Sequence, residues 1–312
     1  MKNQFSLRIR IKWIISLILL VVVVVILAFR SSDAGKETNN SIGFINSDIA
    51  DIHPVVIPDT LYFAGELVPL HYFDVREALD RELLSNTYFH SQTIRLIKLA
   101  NRYFQQIEPI LERHGIPDDF KYLAVAESGL ANAVSPAGAV GFWQIRKGTG
   151  QDYGLEISTE VDERYHLEKA TEVACEYIKE SYEKYNTWTM AAASYNAGRR
   201  GVDRQVARQK QTDYYELLLN EETARYIFRI LAFKLIVENP SDYGFQIKES
   251  DLYKPLLFKT VIVDSTVENF ADFAALQNTN YKMLKLFNPW LRDTSLTNKS
   301  GKSYEIRIPT QR

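Results

Sequence analysis

Hydrophobic and polar positions alternate in three different ways along this chain, and each predicts a different kind of structure. At the N-terminus an uncharged run rich in Ile, Leu and Val extends from Trp13 to Phe29. As a helix it spans about 26 Å, close to the roughly 30 Å hydrocarbon core of a bilayer. From about Glu77 the apolar residues recur largely at three- and four-residue steps. Ile94, Ile97, Leu99, Tyr103, Ile107, Ile110 and Leu111 trace an amphipathic helix. Pro109 falls inside it and predicts a kink or a break. Gly115, Ile116 and Pro117 stop that helix, and Asp118 and Asp119 offer N-cap chemistry for the next, which runs from about Phe120 to Ser128 and ends at Gly129. Residues 130–150 are punctuated by Gly and Pro and read as an irregular loop. Helical periods return over Glu168–Tyr185, Trp188–Asn196 and Glu221–Val237.

The third pattern begins near Tyr253. Phe258 to Val263 alternates like a strand, Val267–Leu276 and Lys282–Phe287 read as short helices, and Tyr304–Ile308 reads as a closing strand. The fold class is therefore mainly α with a small α+β C-terminal module. The expected organisation is a cytoplasmic stub and membrane helix at 1–30, a linker at 31–75, a helical domain at 76–250 and the small module at 251–312. The linker opens on a Ser/Asn/Gly/Asp-rich tether. Beyond it, short apolar runs broken by prolines support no firm assignment.

Composition narrows the function classes. A net charge of −2 over 312 residues supplies no basic field for nucleic acid. The one cysteine, Cys175, rules out an intrachain disulfide and reads as a small buried hydrophobe in a helix. The five histidines show no His-Glu-x-x-His spacing, so no metal site is expected. Lys2, Arg8, Arg10 and Lys12 precede the apolar run, which places everything after residue 30 outside the cytoplasm. A cleaved signal peptide is the rival to an uncleaved anchor. The length of the run and its Ala28-Phe29-Arg30 ending, without an Ala-x-Ala site, favour the anchor.

Three segments carry candidate chemistry. Glu127 follows the apolar stretch Tyr122–Ala126, where poor solvation and the negative end of the helix dipole raise a carboxyl pKa. A protonated acid near neutrality suits cleavage of a glycosidic bond. Position alone leaves open a helix-terminal Glu that points into water. Ser135 to Ile145 combines turn residues with a buried-looking aromatic pair, Phe142 and Trp143, whose faces could stack on a sugar, and with the compact hydrogen-bonding groups Ser135 and Gln144. An ordinary surface loop with a buried Trp fits the same pattern. Ala191, Ala192 and Ala193 allow close helix packing, and Tyr195 and Asn196 follow, with Gly198 as the cap. That Tyr–Asn pair fits pure capping as well as substrate contact.

Taken in order, these segments resemble the successive motifs of the family 1 lytic transglycosylases. Glu127-Ser128, the Ser135-to-Gln144 loop and Ser194-to-Gly198 match three of them, and Glu222-Thr223-Ala224-Arg225-Tyr226-Ile227 fits the last, usually Glu-Thr-x-x-Tyr-Val. The Gly115–Pro117 turn and Val161–Arg164 are similar to the membrane-bound murein transglycosylase D type. The resemblance covers about residues 88–240. It implies a goose-type-lysozyme-like helical catalytic domain acting on peptidoglycan glycan strands. In it Glu127 is the sole acid and later the base, with no metal or cofactor. Ser135, Gln144, Tyr195 and Asn196 are implied to contact the sugars, and Glu222 and Tyr226 to line and support the groove. Phe142-Trp143 stands where Leu-Met or Leu-Trp is usual, Arg146-Lys147 replaces Met-Pro, and Ser194 replaces Ala.

The implied reaction cleaves the MurNAc–GlcNAc β-1,4 bond and closes a 1,6-anhydro ring without water. The tail resembles a degenerate LysM module through Val261–Val263, Asp264–Val267, Phe287–Pro289 and Ile306–Pro309, with Asp264-Ser265 in place of the usual Gly-Asp turn. The implied location is the cell membrane, through a single N-terminal helix in the inner membrane, with the catalytic domain on the periplasmic side. A goose-type lysozyme that adds water and an inactive wall-binding protein are the rivals.

Overall fold

The computed structural model describes residues 53–299 and 301–310. The expected membrane helix at 13–29 and the tether at 31–47 lie outside them. Among the described residues no helix is long and apolar enough to cross a membrane.

The helical domain is organised around one helix that is apolar on most of its circumference. Helix α8 (Glu221–Glu238) follows α1 (Phe73–Tyr88), α2 (His90–His114), α3 (Lys121–Ser128), α4 (Lys147–Asp152), α5 (Leu167–Tyr185), α6 (Trp188–Ala197) and α7 (Arg199–Gln209). Ile227, Phe228, Ile230, Leu231, Ala232, Phe233 and Ile236 of α8 are all buried. A helix with so little polar face must be surrounded, and α1, α3 and α6 pack on it. In α6 Ala191, Ala192 and Ala193 are buried, and their small side chains let α5 and α8 approach closely.

Helix α2 runs through Pro109 without a break. Pro109 and Gln105, whose carbonyl would have received the missing N–H, are both exposed, so water can satisfy that carbonyl. The helix stops at Gly115, which takes a left-handed φ of 68°, and Ile116 N donates to Leu111 O. The aspartates that follow do not cap α3. Asp118 pairs with Lys121, while Asp119 accepts from Ala64 N and Lys234 Nζ, both at 2.7 Å.

Those contacts belong to a segment placed in the linker by the sequence pattern. Strands β1 (Tyr62–Phe63) and β2 (Glu66–Leu67) form a short antiparallel hairpin, and Leu61, Phe63, Val68 and Leu70 are buried in the main core. The Glu66 carboxylate accepts from Trp188 N and from the Thr189 N and Oγ1 (2.9 and 2.6 Å), capping α6 from more than a hundred residues away. The folded body therefore begins before residue 76.

The C-terminal module pairs β3 (Phe258–Val263) antiparallel with β4 (Tyr304–Pro309), from Phe258↔Pro309 to Val263↔Tyr304. Helices α9 (Phe270–Leu276) and α10 (Tyr281–Phe287) lie between them in sequence. The module has its own core of Val263, Phe270, Leu284, Trp290, Leu296, Tyr304, Ile306 and Ile308. Asn288 is fully buried and fully bonded, donating to Leu284 O and Arg307 O and accepting from Arg307 N. Its core also takes in Val161 of the helical domain. Asp162 N donates to Trp290 O and Arg292 N to Glu160 O, so the module is docked on the segment before α5.

Candidate active site

The site forms where α3 ends against α8 and α6. Gly129, at φ 60°, terminates α3 just after Glu127. The carboxyl is half-buried and accepts a hydrogen bond from Tyr226 OH on α8. Burial pushes its pKa up to about 7. The Tyr226 hydrogen bond opposes that rise, the charge of Glu222 adds to it, and Arg229 opposes it again. A carboxyl in this setting is substantially protonated at neutral pH, as a general acid must be.

Glu127 opens onto a cleft of ≈ 610 Å³, a size typical of ligand sites. Ser135, Gln144, Tyr195, Asn196 and Glu222 line the same cleft. Tyr226 is brought to Glu127 but lies behind it, fully buried, so it holds the acid rather than facing the cleft.

Each lining residue is oriented by its neighbours. Gln144 sits at a left-handed φ of 47° and donates its Nε2 to Gly141 O (2.8 Å) and Ala133 O (3.2 Å). Its Oε1 is left for a ligand donor. Ser135 Oγ accepts from Ala139 N at 3.0 Å, which leaves its hydroxyl proton free to donate. Tyr195 OH donates to Trp143 O at 2.7 Å. Asn196 Nδ2 donates to Glu222 Oε1 (3.2 Å) and its Oδ1 accepts from Thr223 Oγ1 (2.8 Å), locking the end of α6 to the start of α8.

Phe142 and Trp143 do not offer stacking faces. Both are buried, Phe142 packed edge-on against Tyr103 and Trp143 with its indole N–H on Thr171 Oγ1 at 2.8 Å. The aromatic pair is an anchor that pins the loop to the core. A second anchor comes from Arg164, whose guanidinium is paired with Asp162 at 2.7 Å and donates to Gly138 O and Ile145 O. Gly141, at φ 81°, passes so close that an added Cβ would lie 2.2 Å from Arg164 O. Only glycine fits there.

Sequence reasoning missed Tyr177 and Thr149, which also line the cleft, as does Arg146 of the Arg146-Lys147 departure from the family pattern. Tyr177 OH donates to Ser194 O, and its ring lies 4.1 Å from the Arg199 guanidinium. The helical spacing of Tyr177 within α5 marked it only as one more aromatic of an amphipathic helix. Among the described residues no group of His, Cys, Asp or Glu is arranged to hold a metal ion. Cys175 is buried in the core with its thiol pushed up to about 12, chiefly by burial.

Residues 107–218 match the model of the transglycosylase SLT domain, and residues 259–312 match the model of the soluble lytic transglycosylase C-terminal LysM-like domain. The chain is 29% identical over 241 residues to a protein named membrane-bound lytic murein transglycosylase D from Escherichia coli K12, covering 75% of this chain and 51% of that protein. The same identity and coverage hold for the protein of that name from Escherichia coli O6:H1. The chain thus spans about half the length of the curated relatives it matches. Mainly helical with a small C-terminal module, the chain is similar to a transglycosylase SLT domain over residues 107–218 and to the LysM-like domain of soluble lytic transglycosylases over residues 259–312.

Proposed function

We propose that this chain is a peptidoglycan lytic transglycosylase that cleaves the MurNAc–GlcNAc β-1,4 bond with Glu127 as its single acid and base. The observation that carries this reading is a half-buried carboxyl with a pKa raised to about 7, set in a cleft whose other polar lining is mostly neutral hydrogen-bonding groups. The similarity to relatives named as lytic murein transglycosylases supports the substrate class.

In this reading Glu127 protonates the leaving glycosidic oxygen. The N-acetyl group of the muramic acid assists from its own ring, a substrate-assisted variant of glycoside cleavage. Ionised Glu127 then takes the proton of the C6 hydroxyl, which closes the 1,6-anhydro ring. Tyr226 serves both steps, because its O–H can donate to the carboxylate that exists between them. Glu222 is the other carboxylate of the cleft. Exposed and bonded to Asn196, it favours protonated Glu127 through its charge. The reaction uses neither metal nor cofactor. The basic flank and apolar run at residues 2–29 support attachment to the inner membrane, with the enzyme facing the periplasm.

Digestion of purified sacculi by the wild-type chain and by Glu127→Gln tests the proposal. Soluble muropeptides ending in anhydro sugars are expected from the wild type alone. Reducing ends would make the protein a lysozyme. Binding without soluble product from either protein would make it a wall-binding protein.

A further inference from the structure

Glu127 lines a second pocket on the far side of α3, open and of ≈ 830 Å³, with walls from α1, α2 and α8. The two sides of the acid differ in charge. The Ser135 side holds one arginine, Arg146, and one carboxylate besides the acid, Glu222. The far side holds three arginines, Arg95, Arg225 and Arg229, against a single further carboxylate, Glu82.

Glu82 is only 2% exposed and accounts for how the cluster is built. Arg225 donates its Nε to Glu82, and Arg229 Nε lies 3.7 Å from the same carboxylate. Both guanidinium groups are thus held by one edge. Arg225 turns its Nη1 toward Glu221 on the rim, at 3.6 Å, while the Nη groups of Arg229 make no hydrogen bond among the described residues. Arg95 is exposed and forms no ion pair among them. With Glu127 protonated, the pocket keeps an excess of positive charge and unused planar donors beside the reacting acid. Such donors match carboxylates in geometry as well as in charge.

We infer that this pocket is a subsite for a carboxylate of the peptide stem carried by the glycan strand. The inference rests on the peptidoglycan reading above. Acetylated amino sugars are neutral, so along a glycan strand negative charge comes from its acidic substituents. A cationic pocket on one side of Glu127 and a neutral cleft on the other fix the direction in which a strand lies across the acid. The stem enters on the Arg229 side and the N-acetyl groups lie on the Ser135 side.

The test measures binding in the Glu127→Gln background, where turnover cannot consume the probe. Muropeptide oligosaccharides with free stem carboxylates are compared with the same molecules after conversion of those carboxyls to amides. The acidic form is expected to bind tighter, and Arg95→Gln and Arg229→Gln are each expected to shrink its advantage by about threefold to tenfold. Higher salt should shrink it too. Arg229→Gln leaves Glu82 with Arg225 alone and could unsettle α1 against α8, so its melting curve is recorded. Arg95→Gln removes no partner of a buried charge and keeps the test valid if Arg229→Gln unfolds. Equal affinity for both forms, or an advantage that neither substitution alters, would overturn the subsite. Failure to bind either form would overturn the peptidoglycan reading itself.

Discussion

Glu127→Gln is expected to abolish cleavage and, in the same stroke, to make the fold more stable above pH 7. Burial lifts the Glu127 carboxyl from its ordinary 4.5 to about 7. Because the folded value lies above the unfolded one, the stability linked to this group is fully present below about pH 4.5. It is lost as pH rises through about 7. At about 1.4 kcal/mol per pH unit, the interval corresponds to about 3 kcal/mol by pH 9. Glutamine has nearly the same shape, is neutral at every pH, and can still accept the Tyr226 hydroxyl. The variant therefore escapes the loss. Urea unfolding of both proteins at pH 5, 7 and 9 measures it. The advantage of the variant over wild type should grow by about 2–3 kcal/mol between pH 5 and pH 9. An advantage that is flat with pH, or that shrinks as pH rises, would refute a buried carboxyl with a raised pKa.

The same geometry sets the response to pH and to substitutions around the site. Wild-type activity should fall as pH rises through about 7, where Glu127 loses its proton. Tyr226→Phe removes a hydrogen bond that favours the ionised form, so the falling limb should move to higher pH by about one unit in a pH–rate profile. Gly141→Ala forces a Cβ to 2.2 Å from Arg164 O at a φ of 81°. It should cost about 3 kcal/mol in thermal or urea unfolding. Gly138→Ala, at φ 76° but with nothing within 4 Å of the added carbon, should cost only about 1 kcal/mol. Arg164→Met leaves Asp162 buried without its partner and should lower unfolding free energy by about 3–5 kcal/mol. Activity should fall with it as the Gly138–Ile145 loop loses its clamp.

How much of this was legible beforehand follows from the range of the forces involved. Helices α5, α6 and α8 are written in local apolar periods, and the structure ends each within a residue or so of the expected bounds. Helix α7 was missed because only Val202 of it is buried, so it carries almost no apolar stripe. Helix α4 was missed because Gly148 and Gly150 read as loop. The hairpin at 62–67 has two-residue strands, fixed by contacts to Asp119 and to the N-terminus of α6, and no local pattern announces such partners.

The site divides the same way. Glu127, Ser135, Gln144, Tyr195, Asn196 and Glu222 sit in ordered motifs and converge on one cleft. Phe142 and Trp143 read as a buried-looking pair that could also offer sugar-stacking faces, and the structure keeps the first reading and not the second, because the loop is pinned to the core from beneath. The Arg225–Glu82 pair joins α8 to α1 across 143 positions and leaves no mark in either local segment.

The most direct test of the central claim is to digest sacculi in water enriched in heavy oxygen and weigh the new muramic acid ends. The account requires ends one water lighter than the reducing sugar, free of heavy oxygen, and absent with Glu127→Gln. Heavy oxygen at the new ends would mean that water, not the C6 hydroxyl, attacks, and would contradict it.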